Sequence, residues 1–390
     1  MRLKYTVLVK KEMRKNMKRI LCIALSLILL TGCSPQKENK TRKTDTAESY
    51  VSGVWLSYSE LDAVLKTGDF KNGFDAVVSN CKSRGITDLF VHTRAFCDSI
   101  YSSQYFPLRE TVKQYDFDVL EYMIEKCHAE GLKFHAWINP YRVRTADGDV
   151  SALDEKSPVK QWLSDDDVSN DTNAVISNGI YLNPASGEAR KLVTDGVREI
   201  INNYKVDGIH FDDYFYPTTD PEFDKVSYEA YCADAEKPLS LDDWRRANVN
   251  ALISGCFTAV KFTDANIVFS ISPAASVSEN YSKHYADINT WCESGCIDYI
   301  IPQLYFGFNY PTDDYKFENL ISDWINVTDN KDVKLMIGLA AYKINTQNEP
   351  DREEWQNGVD VIKRQTQICE QNPDIYGHIY FSYSFMFKYL

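Results

Sequence analysis

The sequence predicts an α/β protein, and within that class a (β/α)8 barrel of the TIM type with enlarged βα loops and a short or absent last helix. Three observations carry this. Strand-like apolar runs alternate with helix-period runs from residue 51 to the end, and eight strand-like runs fall within roughly 340 residues. The first run, Gly53-Val54-Trp55-Leu56-Ser57-Tyr58, is followed by no glycine-rich phosphate loop, which disfavours a doubly wound nucleotide-binding sheet. The chain also ends within a few residues of the eighth run.

In order, the strands are expected over 51–58, 86–94, 133–139, 207–214, 266–272, 297–305, 334–342 and 377–384. Helices are expected over 70–84, 117–130, 188–204, 241–263, 286–295, 315–327 and 353–371. The longest connections, 141–188 and 217–241, follow strands three and four. Long loops at that end of a barrel form the walls of a cleft.

Ahead of this domain, 50–390, the chain reads differently. A basic start at Met17-Lys18-Arg19 leads into an apolar run over 20–30, and then Leu30-Thr31-Gly32-Cys33. The run is too short to cross a bilayer as a helix and resembles a lipoprotein signal, 1–32, with Cys33 as the lipidated residue. Met17 begins a complete signal alone, so 1–16 reads as an upstream extension. Residues 33–49 are polar without an apolar period and predict a flexible tether. The expected location is therefore outside the cytoplasm, anchored to the membrane by lipid.

Residues 1–32 carry eight Lys/Arg against one Asp/Glu, so the remainder holds 35 basic and 55 acidic side chains, a net charge of −20. Such a surface repels nucleic acid. Cysteines beyond Cys33 fall inside apparent helices and strands and read mostly as small buried hydrophobes. Cys292 and Cys296 are spaced to pair, but no second such element points to a metal.

The richest stretch is Asp207-Gly208-Ile209-His210-Phe211-Asp212-Asp213-Tyr214-Phe215-Tyr216-Pro217. Alternation along a strand places Asp212 on the face of His210 and Asp213 on the other, so two adjacent acids need not share one job. Paired carboxyls among aromatics are costly to bury unless one pKa is displaced, which acid/base chemistry requires. We take Asp212 and Asp213 as catalytic, and Arg94, Trp137, Asn139, Tyr141, Arg142, His210, Tyr214, Tyr216, Gln303 and Tyr305 as substrate-binding. A satisfied buried polar group is the alternative for Arg94 and Gln303. His92, His135 and His210 lie on consecutive strands, but several residues below the strand ends and without a His-x-His pair, so a structural role is favoured over metal binding. No cofactor is expected.

With Gly53-Val54-Trp55, the 135–142 run His-Ala-Trp-Ile-Asn-Pro-Tyr-Arg, the 207–217 stretch, Trp244-Arg245-Arg246-Ala247-Asn248-Val249 and the 297–305 run Ile-Asp-Tyr-Ile-Ile-Pro-Gln-Leu-Tyr, the chain resembles the bacterial glycosyl-hydrolase-like family 10. The resemblance implies an exported glycoside hydrolase, with peptidoglycan glycan strands as the substrate class. It departs at Ser272-Pro273-Ala274-Ala275-Ser276, where a Ser-Pro-Phe-Gly type segment is usual, and this bears on substrate preference. Glycoside hydrolysis needs two carboxyl groups. Strands seven and eight end without an acid, which leaves Glu279 and Asp98 on loops as candidates for a second acid beyond the pair. The other function classes are a catalytically silent glycan-binding barrel and a metal-dependent hydrolase or deacetylase.

Overall fold

Eight parallel strands close into a barrel in the computed structural model, which describes residues 50–390 apart from 146 and 330. They are β1 (Val51–Leu56), β2 (Asp88–Arg94), β3 (Lys133–Ile138), β4 (Gly208–Phe211), β5 (Val268–Ile271), β6 (Tyr299–Ile300), β7 (Lys334–Leu339) and β8 (Ile375–Phe381). Each pairs with its sequence neighbours, and β1 pairs with β8 to complete the ring. The signal region, the tether and Cys33 lie outside the described residues.

Alternation divides the strand side chains between two cores. Trp55, Phe90, Trp137, Met336, Ile301 and Ile379 fill the barrel interior. Val54, Leu89, Ala136, Ile209 and Phe269 face outward into the layer beneath the helices. Both faces are therefore dry, which is why the strands read as continuous apolar runs. Helix Gly187–Asn203 illustrates the outer layer: Ser186 caps it by accepting from the amide of Ala189, and Leu192, Val193, Val197 and Ile200 bury one face.

The interior also encloses polar groups. His135 Nε2 lies 2.8 Å from an oxygen of Asp88, and its ring stacks on Phe90 at 4.2 Å. Gly208 is required beside it, because a Cβ there would stand 2.2 Å from His135 Nδ1.

Several element boundaries differ from expectation. β4 stops at Phe211 and β6 at Ile300, so the regular strands end before Asp212–Tyr214 and Ile301–Tyr305, although Gln303 still bridges to Ala274 and Gly338. Tyr58 starts a helix, Tyr58–Leu65, rather than ending a strand, because Ser57 and Glu60 form a reciprocal capping box. The loop after β3 carries a small antiparallel sheet, Arg142–Arg144 with Ile180–Leu182 and Ala174–Ile176, and the loop after β4 carries a helix, Lys225–Asp234. The last helix, Tyr383–Tyr389, is short.

Candidate active site

Asp212 follows the last residue of β4 and is 2% exposed. Trp137 Nε1 donates to its Oδ2 at 3.1 Å, and Asn139 Nδ2 donates to Oδ1 at 3.0 Å and Oδ2 at 3.2 Å. Both donors come from the end of neighbouring β3. Asn139 Oδ1 also accepts from the backbone N–H of Arg142, at 2.8 Å, which fixes the amide's orientation. Burial lifts the carboxyl of Asp212 to about 7; Arg142 opposes the rise and the charge of Asp213 adds to it.

Asp213 is half-buried and is also raised by burial, while His284, a hydrogen bond with Gln303 and the charge of Arg142 pull it back. Asp212 thus leans toward β3 and Asp213 toward β5 and β6.

Beneath the acids lie two neutral histidines, and the interior's ionised carboxyl, Asp88, is paired with His135. His210 Nε2 accepts from Trp55 Nε1 at 3.0 Å, so its proton sits on Nδ1, 2.9 Å from Ser270 Oγ. His92 stacks on Trp137 at 3.8 Å. Burial holds both rings well below the ordinary histidine pKa, hence neutral. The three strand histidines do not converge, and no group of three or more His, Cys, Asp or Glu among the described residues is arranged to hold a metal. Cys292 and Cys296 are both free thiols.

Around the acids stand Arg142, Tyr214, Gln303 and Tyr305. The guanidinium carbon of Arg142 lies 4.6 Å from the ring centre of Phe96, 5.2 Å from Tyr214 and 5.6 Å from Tyr58. Tyr214 is 55% exposed. Tyr305 stacks on Phe381 at 5.8 Å, and Tyr342 meets both rings edge-on.

Four of the residues taken as substrate-binding do not reach this mouth. Arg94 turns outward because the register with β3 slips between His92 and Arg94, inserting Thr93 and reversing the parity. Its guanidinium lies 4.0 Å from the ring centre of Phe106, under the helix at Gly196. Tyr141 is 1% exposed within the helix-side core. Tyr216 is buried against Phe223, Tyr285 and Arg245. His210 is fully buried and acts through Trp55, Ser270 and Ser272 rather than on a ligand.

The two loop acids are ion-paired. Asp98 is held ionised by the fork of Arg109, at 2.7 and 3.1 Å, although burial alone would raise it. Glu279 is held low by Lys283. Neither is poised to donate a proton. Sequence reasoning missed His284, Tyr58, Phe96, Tyr342 and Phe381. Phe381 was within reach, since it shares parity with inward-facing Ile379 and follows it by two residues.

Residues 50–357 match the family model described as glycosyl hydrolase-like 10. The chain belongs to this family. The glycosyl hydrolase-like 10 protein is 32% identical over 362 residues to the glycosyl hydrolase YngK of Bacillus subtilis, covering 84% of this chain and 67% of that one. It is 29% identical over 332 residues to the glycosyl hydrolase DigH of Escherichia coli K12, covering 78% and 73%. Among solved structures, the glycoside hydrolase domain of PgaB (BpsB) from Bordetella bronchiseptica aligns with a TM-score of 0.57 at 11% identity over 87% of this chain and 95% of that one. An endo-1,4-beta-mannanase from Rhizomucor miehei aligns at 0.51 and 14%, over 87% of each chain. These two likenesses are of fold. Family membership makes the protein a glycoside hydrolase, and the acid pair stands at the C-terminal mouth of its barrel.

The raised carboxyl has a stability signature. Asp212 in the native state keeps a proton that the unfolded chain releases near pH 4, so stability falls as pH rises from about 4 to about 7 and stays lost above that. Asp212→Asn should therefore melt higher than the parent at about pH 8, with the gap closing toward about pH 4. Thermal unfolding at the two pH values measures this, and an equal gap at both contradicts the raised carboxyl.

Proposed function

We propose that the protein is a lipid-anchored cell-surface glycosidase that cleaves peptidoglycan-type glycan strands. Asp212 acts as proton donor to the departing glycosidic oxygen, and Asp213 supplies the second carboxylate as base or nucleophile. The observation that carries this reading is the buried Asp212, lifted to about 7 while accepting from Trp137 and Asn139. A carboxyl that keeps its proton near neutral pH yet stands at the mouth is what protonation of a leaving group needs.

Arg142 and Asn139 complete the arrangement. The charge of Arg142 opposes the burial that raises both acids, and Asn139 fixes the position of Asp212 relative to Arg142. Tyr214 and Tyr305 offer partly exposed faces for stacking on sugar rings. The lipobox-like Leu30-Thr31-Gly32-Cys33 supports placement outside the membrane, where cell-wall glycan lies. The acidic surface suits a glycan rather than a nucleic acid partner.

Asp212→Asn should lower turnover on purified cell-wall glycan strands by about 10²–10⁴-fold while the protein stays folded and still binds the glycan. Asp213→Asn should also lower turnover, by less if it only orients its neighbour. A folded double variant that cleaves at the parent rate would show that the chemistry lies elsewhere.

Cys33→Ala should leave unprocessed precursor or shed protein into the soluble fraction. Membrane fractionation checks this, and unchanged processing and membrane association reject the anchor.

A further inference from the structure

Between the loops that follow β2 and β3, the rim of the barrel holds a cavity of about 450 Å³ that the acid pair does not use. That size lies within the range of small-ligand sites, roughly 300–1,000 Å³. Its apolar side is made by Phe96, Leu108, Val143 and Leu153, and the Asp98–Arg109 fork supplies fixed polar groups. Asp98, Glu110 and Asp154 are balanced by Arg109, Lys113 and Arg144, so the wall carries no net sign. A wall without net charge does not select a uronate or a phosphate. Apolar faces beside fixed donors and acceptors suit an uncharged pyranose, whose rings are apolar on their faces and polar at their edges.

The cavity adjoins the acids through one side chain. Phe96 lines it, and the guanidinium of Arg142 lies over the same ring at 4.6 Å, between the cavity and Tyr214. Backbone strain marks the same corner. Cys97, buried between Phe96 and Asp98, sits at φ 56°, a left-handed conformation that is unfavourable for a residue other than glycine. Asp98 Oδ1 accepts from the Phe96 amide at 3.1 Å across that turn, and both residues line the cavity. The Tyr305, Tyr342 and Phe381 cluster stands across the barrel, after β6 and β7 and at the end of β8.

We propose that the cavity between the β2 and β3 loops is a remote glycan subsite that takes an uncharged pyranose of the substrate chain beyond the linkage cut at the acid pair. The proposal rests on the reading of the mouth as the place of glycan cleavage. It adds that the chain continues past the acids on the side away from the Tyr305 cluster, so that cleavage is internal to the glycan rather than confined to its end.

Ala152 is exposed at the edge of the cavity, so Ala152→Trp fills the space without entering the core. Thr145→Trp, exposed on the same loop, is the second variant should the first fold poorly. The full chain carrying Asp212→Asn, with and without the filling substitution, is titrated calorimetrically with β-1,4-linked N-acetylglucosamine oligomers from disaccharide to hexasaccharide. Filling the cavity should weaken hexasaccharide binding by at least about tenfold in protein that melts like its parent. Equal affinity of filled and unfilled protein for the hexasaccharide, including no binding by either, overturns the proposal. Turnover by the Asp212-bearing enzyme is scored separately, so the glycosidase reading can fail while the difference in binding persists.

Discussion

A carboxyl group withheld from water at the mouth of the barrel is the constraint to which the surrounding residues answer. Asp212 is 2% exposed, and its visible compensation is two donors, Trp137 and Asn139, both from the adjacent strand. Those bonds favour the ionised form, and burial outweighs them. The layer below does not disturb that balance, because His92 and His210 are neutral. His92 props the indole that holds Asp212, and His210 is locked as a single tautomer between Trp55 and Ser270. A charged imidazole at either position would draw the carboxyl down and remove the proton at neutral pH.

The loops around the acids are held by a second buried network. Arg245, fully buried on helix Leu241–Thr263, pairs with Asp224 and donates to the carbonyls of Thr219 and Asp220 at 3.2 and 2.7 Å. It also donates to Tyr285 Oη at 2.9 Å. One guanidinium therefore ties the segment after Pro217 to the segment that presents His284 toward Asp213. Removing either partner of such a pair leaves an uncompensated buried charge, so the acid pair depends on residues well behind it. Tyr216 serves this network, with its ring 5.1 Å from the Arg245 guanidinium carbon.

The barrel was legible because strands dry on both faces leave uninterrupted apolar runs, and the acid pair was legible because adjacent carboxyls followed by aromatics are costly to bury. Parity reasoning held where the strand was regular and failed elsewhere. Arg94 was misplaced because no residue type announces the extra Thr93. Tyr141 and Tyr216 were misplaced because the period of two has no meaning once the strand has ended. Ion pairing decided the fate of the loop acids. The Glu279–Lys283 spacing of one helical turn could have been read from the sequence, whereas the Asp98–Arg109 fork closes across a loop and could not. The helix from Tyr58 was signalled by Ser57 and Glu60, and the apolar run hid it.

The most direct test is the pH dependence of kcat/KM on a soluble glycan substrate, which reports the titrating groups of the free enzyme. With Asp212 as the proton donor, activity should fall as pH rises through about 7, because the protonated form is the active one. A profile that stays flat across that region, or rises through it, would contradict a proton-donating Asp212.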